Sequence, residues 1–234
     1  MQSRTIGILC SFAFVSLHSM TAHAQKTEGA LQLALGTDFL TYSKASTTVD
    51  VPGGGERKLK TKSFNWGFAS RNGVNLEGGY GLTDSLVLGG LLALGGRSDT
   101  TKLDTDGANE DTESTFDLTL APKIDYMFSP DSNLRPFIGG ALGITYQSAK
   151  TESHNPQTNT TTTGVDASAT GLLLMARVGL RWFAAPGFSL DPALMFGWIP
   201  FSSGSYKVGA TSFDANMSQF SLGLSVAASG WIGL

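Results

Sequence analysis

Three groups of residues carry the types that chemistry needs. Glu152, Ser153 and His154 are consecutive in "KTESHNPQTNTTTTG". Together they supply the acid, nucleophile and base of a hydrolytic set. Adjacency argues against that use, because nucleophile and base need hydrogen-bond reach and the base needs a third, orienting group. A solvated stretch with no catalytic residue is the expectation. The segment "SDTTKLDTDGANEDTE" has the outline of a calcium loop. Asp104, Asp106 and Gly107 fall at positions three, five and six, and Glu113 at twelve. Lys102 occupies position one, where a carboxylate belongs, so a charged loop without metal is expected. The third group lies in "GGGERKLKTK", where Arg57, Lys58, Lys60 and Lys62 are cations suited to phosphate. Two readings of it stay open, a phosphate contact and a flexible basic loop. No phosphate loop, nucleotide fingerprint, zinc pattern or heme attachment pair is present, and no cofactor is expected.

Two further residues pose a sharper problem. "LLLMARVGLRW", Leu172 to Trp182, is nearly all apolar yet contains Arg177 and Arg181. A guanidinium in such a run is costly without water or a carboxylate. Spacing of four places both arginines on one face of either a helix or a strand, so the wider pattern has to decide what holds them.

Only 15% of the residues are charged, against roughly 25% in ordinary soluble domains. The formal charge of −3 gives no reason to expect a nucleic-acid partner. Residues 1–24 read as a cleavable signal peptide: Arg4, then "IGILCSFAFVSL", then the small-residue cleavage pattern Ala22-His23-Ala24. Residues 25–234 then form one domain. Cleavage removes Arg4, Cys10, His18 and His23, which leaves a charge of −4, no cysteine and His154 as the one histidine.

The remaining chain has no run of the ~18 apolar residues that a helical span needs. It alternates instead. In "STFDLTLAPKIDYMF", Phe116, Leu118, Leu120, Ile124, Tyr126 and Phe128 fall on one parity, and Thr115, Asp117, Thr119, Lys123 and Asp125 on the other. Strands have a side-chain period of two, which a helix would scramble. The same pattern runs through Leu31–Phe39, Phe64–Tyr80, Leu134–Tyr146, Leu172–Trp182, Phe188–Trp198 and from Phe220 onward; Leu86–Leu94 is apolar on both faces. Short turn-like links near 81–84, 129–133 and 184–187 alternate with long polar links at 43–61, 98–113, 150–164 and 201–214. The expectation is an all-β, eight-stranded antiparallel up-and-down barrel with three short turns and four long loops.

Such a barrel turns its apolar face either inward, in water, or outward, to lipid. Segments of ~12 residues exceed ordinary strands and suffice for the 9–11 of a tilted membrane strand. Trp66, Tyr80, Tyr126, Phe128, Tyr146, Trp182, Phe188, Trp198 and Trp231 are placed for interfacial girdles. On "GGYGLTDSLVLGG", "LRPFIGGALGITY" and the C-terminal alternation, the chain resembles the small eight-stranded outer-membrane barrels of the OmpA/OmpX type. It departs from them in ending on Leu234 rather than an aromatic residue.

The resemblance implies an outer-membrane location, contact with lipid and lipopolysaccharide, delivery by the outer-membrane insertion machinery, and a monomer. For Arg57, Lys58, Lys60 and Lys62 the phosphate would then be that of lipopolysaccharide. The charges on the non-lipid parity are Arg71, Arg97, Lys123, Arg135, Arg177 and Arg181 against Asp38, Glu77, Asp117, Asp125 and Asp191. Eight strands leave an interior that side chains fill. These charges should therefore pair, Arg177 and Arg181 with Asp191 first, then Asp117, Asp125 or Glu77. The expected protein is a plugged barrel with a structural or surface-interaction role and no enzymatic activity. A small pore is the first alternative and a lipid A-modifying enzyme the second.

Overall fold

The computed structural model describes residues 25–51, 55–66, 73–102, 110–208 and 211–234. The signal-peptide assignment, Arg71, Asp104 and Asp106 lie outside them. The alternating segments form nine antiparallel strands: β1 (Leu31–Val51), β2 (Gly55–Trp66), β3 (Val74–Gly81), β4 (Leu86–Lys102), β5 (Glu110–Met127), β6 (Leu134–Asn155), β7 (Thr160–Ala185), β8 (Phe188–Val208) and β9 (Thr211–Ile232). From β3 to β9 each strand pairs with the next in the chain, and β1 joins β9 to close the sheet on itself.

Nine segments occupy eight positions in the wall. One edge of β1 runs along β9, while its other edge pairs with β3 over Leu31–Thr37 and with β2 over Leu40–Val51. The expectation of one strand from Phe64 to Tyr80 is therefore corrected. The described residues of that span form two strands, whose facing ends Trp66 and Val74 pair with Leu40 and Thr37 of β1, and Phe68 falls outside the described residues. The β1–β9 register also shifts, between Asp38 and Leu40. Such a bulge exchanges the two faces of a strand, so Leu31, Leu33 and Leu35 point outward below it and Leu40, Tyr42 and Lys44 above it.

The outward face carries the apolar set. Leu33, Leu120 and Ile144 are each more than 60% exposed, within a continuous belt of leucine, isoleucine and aromatic side chains. In water a belt of this extent would drive aggregation. Against hydrocarbon it is what a sheet closed into a barrel presents. Among the described residues no helix is long and apolar enough to cross a membrane. Tyr80, Tyr126, Phe128, Tyr146, Trp182, Phe188 and Trp198 face outward as girdle residues. Trp231 does not. It shares parity with Ser229, is 5% exposed and fills the lumen.

The four long links are also corrected. They are mostly strand: β6 and β7 are separated by four residues, β1 and β2 by three. Threonine suits a pleated surface, and hydroxyls pair across the ladders, as in Ser43–Ser63 (2.6 Å), Thr100–Thr112 (3.1 Å) and Ser98–Ser114 (3.2 Å). Polarity on both faces, which reads as a loop, here marks sheet that has left the bilayer.

Candidate functional site

Inward parity on four strands brings six charges to one level of the lumen. Glu77 comes from β3, Lys123 and Asp125 from β5, Arg177 and Arg181 from β7, and Asp191 from β8. Arg177 donates to both oxygens of Glu77 (2.8 and 3.0 Å) and from Nε to Asp125 Oδ1 (2.8 Å). A second Arg177–Asp125 bond, through Nη2, makes that contact bidentate. Arg181 Nε donates to Asp191 Oδ2 (3.0 Å), and its Nη2 lies 3.7 Å from Asp125. Lys123 Nζ bonds Glu77 and reaches Asp125 at 3.4 Å. Three cations meet three anions, so the buried cluster is neutral, the condition under which buried charge is tolerated.

A glycine makes the central contact possible. Gly139 of β6 stands in register between Asp125 on β5 and Arg177 on β7. A Cβ there would come within 2.2 Å of Asp125 Oδ1. Without one, the two side chains join across the intervening strand.

Below this level, toward the short turns, the lumen is filled. Arg181 lies over the rings of Phe137 (5.2 Å) and Trp231 (5.1 Å), and Arg177 over Phe137 (5.3 Å). Cation–π contact adds to the ion pairs. Trp231 Nε1 donates to Ser189 Oγ (3.1 Å), and Gln32 donates to Ser229, whose hydroxyl donates to Asp191 (2.8 Å). Arg135 is directly opposite Arg181 in the β6–β7 ladder, a like-charge pair. The two diverge. Arg135 turns to the backbone carbonyls of Ser132 (2.8 Å) and Gln25 and packs over Phe183 at 4.6 Å.

Above the cluster the lumen is hollow. A cavity of about 110 Å³ is lined by Asp38, Thr41, Asp117, Gln147 and Gln219 among others, with Glu77 at its floor. Of the eleven charges expected in the lumen, six form the cluster. Asp38 and Asp117 belong to the chamber, Arg135 to the plug beneath, and Arg97 stands exposed at the rim, paired with Asp99. Sequence reasoning missed Gln32, Phe137, Gly139, Phe183, Ser229 and Trp231. Parity was the available signal for Phe137 and Trp231, which both fall with the inward residues.

The remaining candidates do not assemble. Ser153 and His154 are successive residues of β6 and point to opposite faces. His154 Nδ1 lies 3.1 Å from the Thr161 hydroxyl. Glu113 is on β5, and no group of three or more metal-capable side chains occurs among the described residues. On β2, Lys58, Lys60 and Lys62 share one face and Arg57 takes the other.

Closure, an outward apolar belt and a polar lumen define a membrane-spanning β-barrel. No protein-family model matches the chain, and no curated protein sequence matches it significantly. Solved structures that it resembles include the outer membrane protein OprG from Pseudomonas aeruginosa, at 10% identity, covering 88% of this chain and 99% of that one, with a TM-score of 0.45. The outer membrane protein AlkL, determined in lipid bilayers, is 13% identical over 93% of this chain and 96% of its own, with a TM-score of 0.46. Neisserial surface protein A is 16% identical over 86% and 98%, with a TM-score of 0.37. Likeness at this level carries nothing about ligand or activity.

Proposed function

We propose that the chain is an outer-membrane barrel closed to solute flow, whose role is structural or surface-interactive through the hairpins that rise above the bilayer. The six-charge cluster carries this reading. It spans the lumen at one level, is neutral, and rests on the large side chains of Arg135, Phe137, Phe183 and Trp231. An ion passing through would have to break several of these contacts at once. Enzymatic activity forms no part of the proposal, because the one histidine-centred group is split across two faces of a strand. The competing reading, a small pore, draws on the hollow chamber above the cluster. Reconstitution of purified protein into planar bilayers separates the two. No stepwise current is expected at moderate voltage, and a reproducible single-channel conductance would sink the closed-barrel reading.

A further inference from the structure

The β1–β2 hairpin stands on the rim of the apolar belt. Tyr42 pairs with Phe64, which is 65% exposed, and both face outward. The next outward rung is Lys44 opposite Lys62, with Phe220 of β9 on the other side of Lys44. Lys60 and Lys58 follow on the same face, opposite Ser46 and Thr48. Successive rungs rise by about 7 Å. A column of four ammonium groups thus begins where the apolar surface ends.

The other hairpins treat their cations differently. Arg97 pairs with Asp99, Lys150 lies 2.5 Å from Glu152, and Lys207 faces Asp166 across the β7–β8 ladder. Hydrogen bonding to Glu152, reinforced by its charge, holds the Lys150 ammonium above the usual lysine range. Lys44, Lys58, Lys60 and Lys62 have no carboxylate within 4 Å among the described residues, and Lys44 and Lys62 face each other. Like charges directly opposite destabilise a sheet. Among the described residues, these four lysines thus lack the acidic partner that Arg97 and Lys150 have.

We infer that this face binds the phosphate groups of a phosphorylated glycolipid in the outer leaflet, with the lysine stems lying along its apolar portion. Ammonium groups on flexible stems follow phosphates without demanding one geometry, and the stems themselves cover apolar surface. Continuity with the apolar belt selects a lipid over a soluble anion. A ligand anchored in the leaflet brings its phosphates to the height of Lys44 and Lys62, and a dissolved polyanion gains nothing from the aromatic rung below. The inference rests on the membrane orientation in the proposed function.

The full-length barrel in phosphatidylcholine nanodiscs tests it, doped with bisphosphorylated lipid A or with the same lipid dephosphorylated. Glycolipid retained per protein is counted by native mass spectrometry after purification. Retention should depend on the phosphates and fall about tenfold or more when Lys44, Lys58, Lys60 and Lys62 all become glutamine. Arg57→Gln, on the opposite face, should stay within about twofold of wild type. If the quadruple variant fails to show the heat-modifiable gel shift of a folded barrel, Lys60→Gln with Lys62→Gln serves in its place. Equal retention of both lipids, or unchanged retention in the variant, overturns the inference. So does tighter binding of a soluble sulfated polysaccharide than of lipid A. A conducting channel would remove the closed-barrel reading and leave this one standing, whereas loss of phosphate dependence would do the reverse.

Discussion

The two halves of the lumen share eight wall positions and the same alternation, yet one is solid and the other hollow. Toward the short turns the inward positions hold Arg135, Phe137, Arg181, Phe183 and Trp231. Toward the long hairpins they hold Thr41, Ala93, Gly95, Gly197, Ser221 and Gly223. Strand number fixes the diameter, and side-chain volume then decides whether the space is filled. Eight strands do not by themselves make a plug. The charge cluster sits at the boundary, where arginine and aromatic side chains give way to a lining that has neither.

That contrast can be broken most severely from below. Asp125 answers Lys123, Arg177 and Arg181 together, so Asp125→Asn leaves buried cations short of an anion. A loss of about 3–5 kcal/mol is expected, read as an earlier midpoint of urea unfolding followed by tryptophan fluorescence. A loss below about 1 kcal/mol would mean that water already reaches the cluster and that the boundary lies lower. Gly139→Ala is the next step down. Its Cβ would intrude between Asp125 and Arg177, at an expected cost of roughly 1–3 kcal/mol by the same measurement.

The smallest perturbation tests the hollow half directly. Residues 25–234 contain no cysteine, so single thiols report without background. Gln219→Cys, in the chamber wall, should shift stability by only about 0.5 kcal/mol and react with a small water-soluble thiosulfonate. Ser229→Cys, fully buried beside Asp191, should resist the same reagent. Equal labelling would erase the distinction between plug and chamber.

Much of the wall was legible from period two alone. Leu172–Trp182 sorted correctly into outward leucines and inward arginines, and Asp191, Asp125 and Glu77 were named among the partners that Arg177 and Arg181 meet. Asp117 was named too, but it lines the chamber instead. Parity reports which face a residue takes, not its height on the barrel, and so could not separate Arg97 at the rim from Arg177 in the cluster. Register sets height, and the turns and bulges at Asp38–Leu40 and Ile199–Ser202 set register. Polar stretches such as Lys150–Gly164 misled for a related reason. Alternation is visible only while one face meets lipid, and strands that rise into water lose the signal without losing the fold.

In the proposed orientation, those rising strands have a consequence for the cell surface. β7 is 26 residues long; at about 3.3 Å per residue and a tilt near 40° it reaches about 65 Å, more than twice the height of an apolar band of about 25 Å. Most of the outward portion is paired backbone. A protease in the medium requires an unpaired, extended segment to enter its cleft, and the ladders between β6 and β7 or β8 and β9 offer none. The stalk built by β6 to β9 should therefore persist under digestion that strips looser surface proteins.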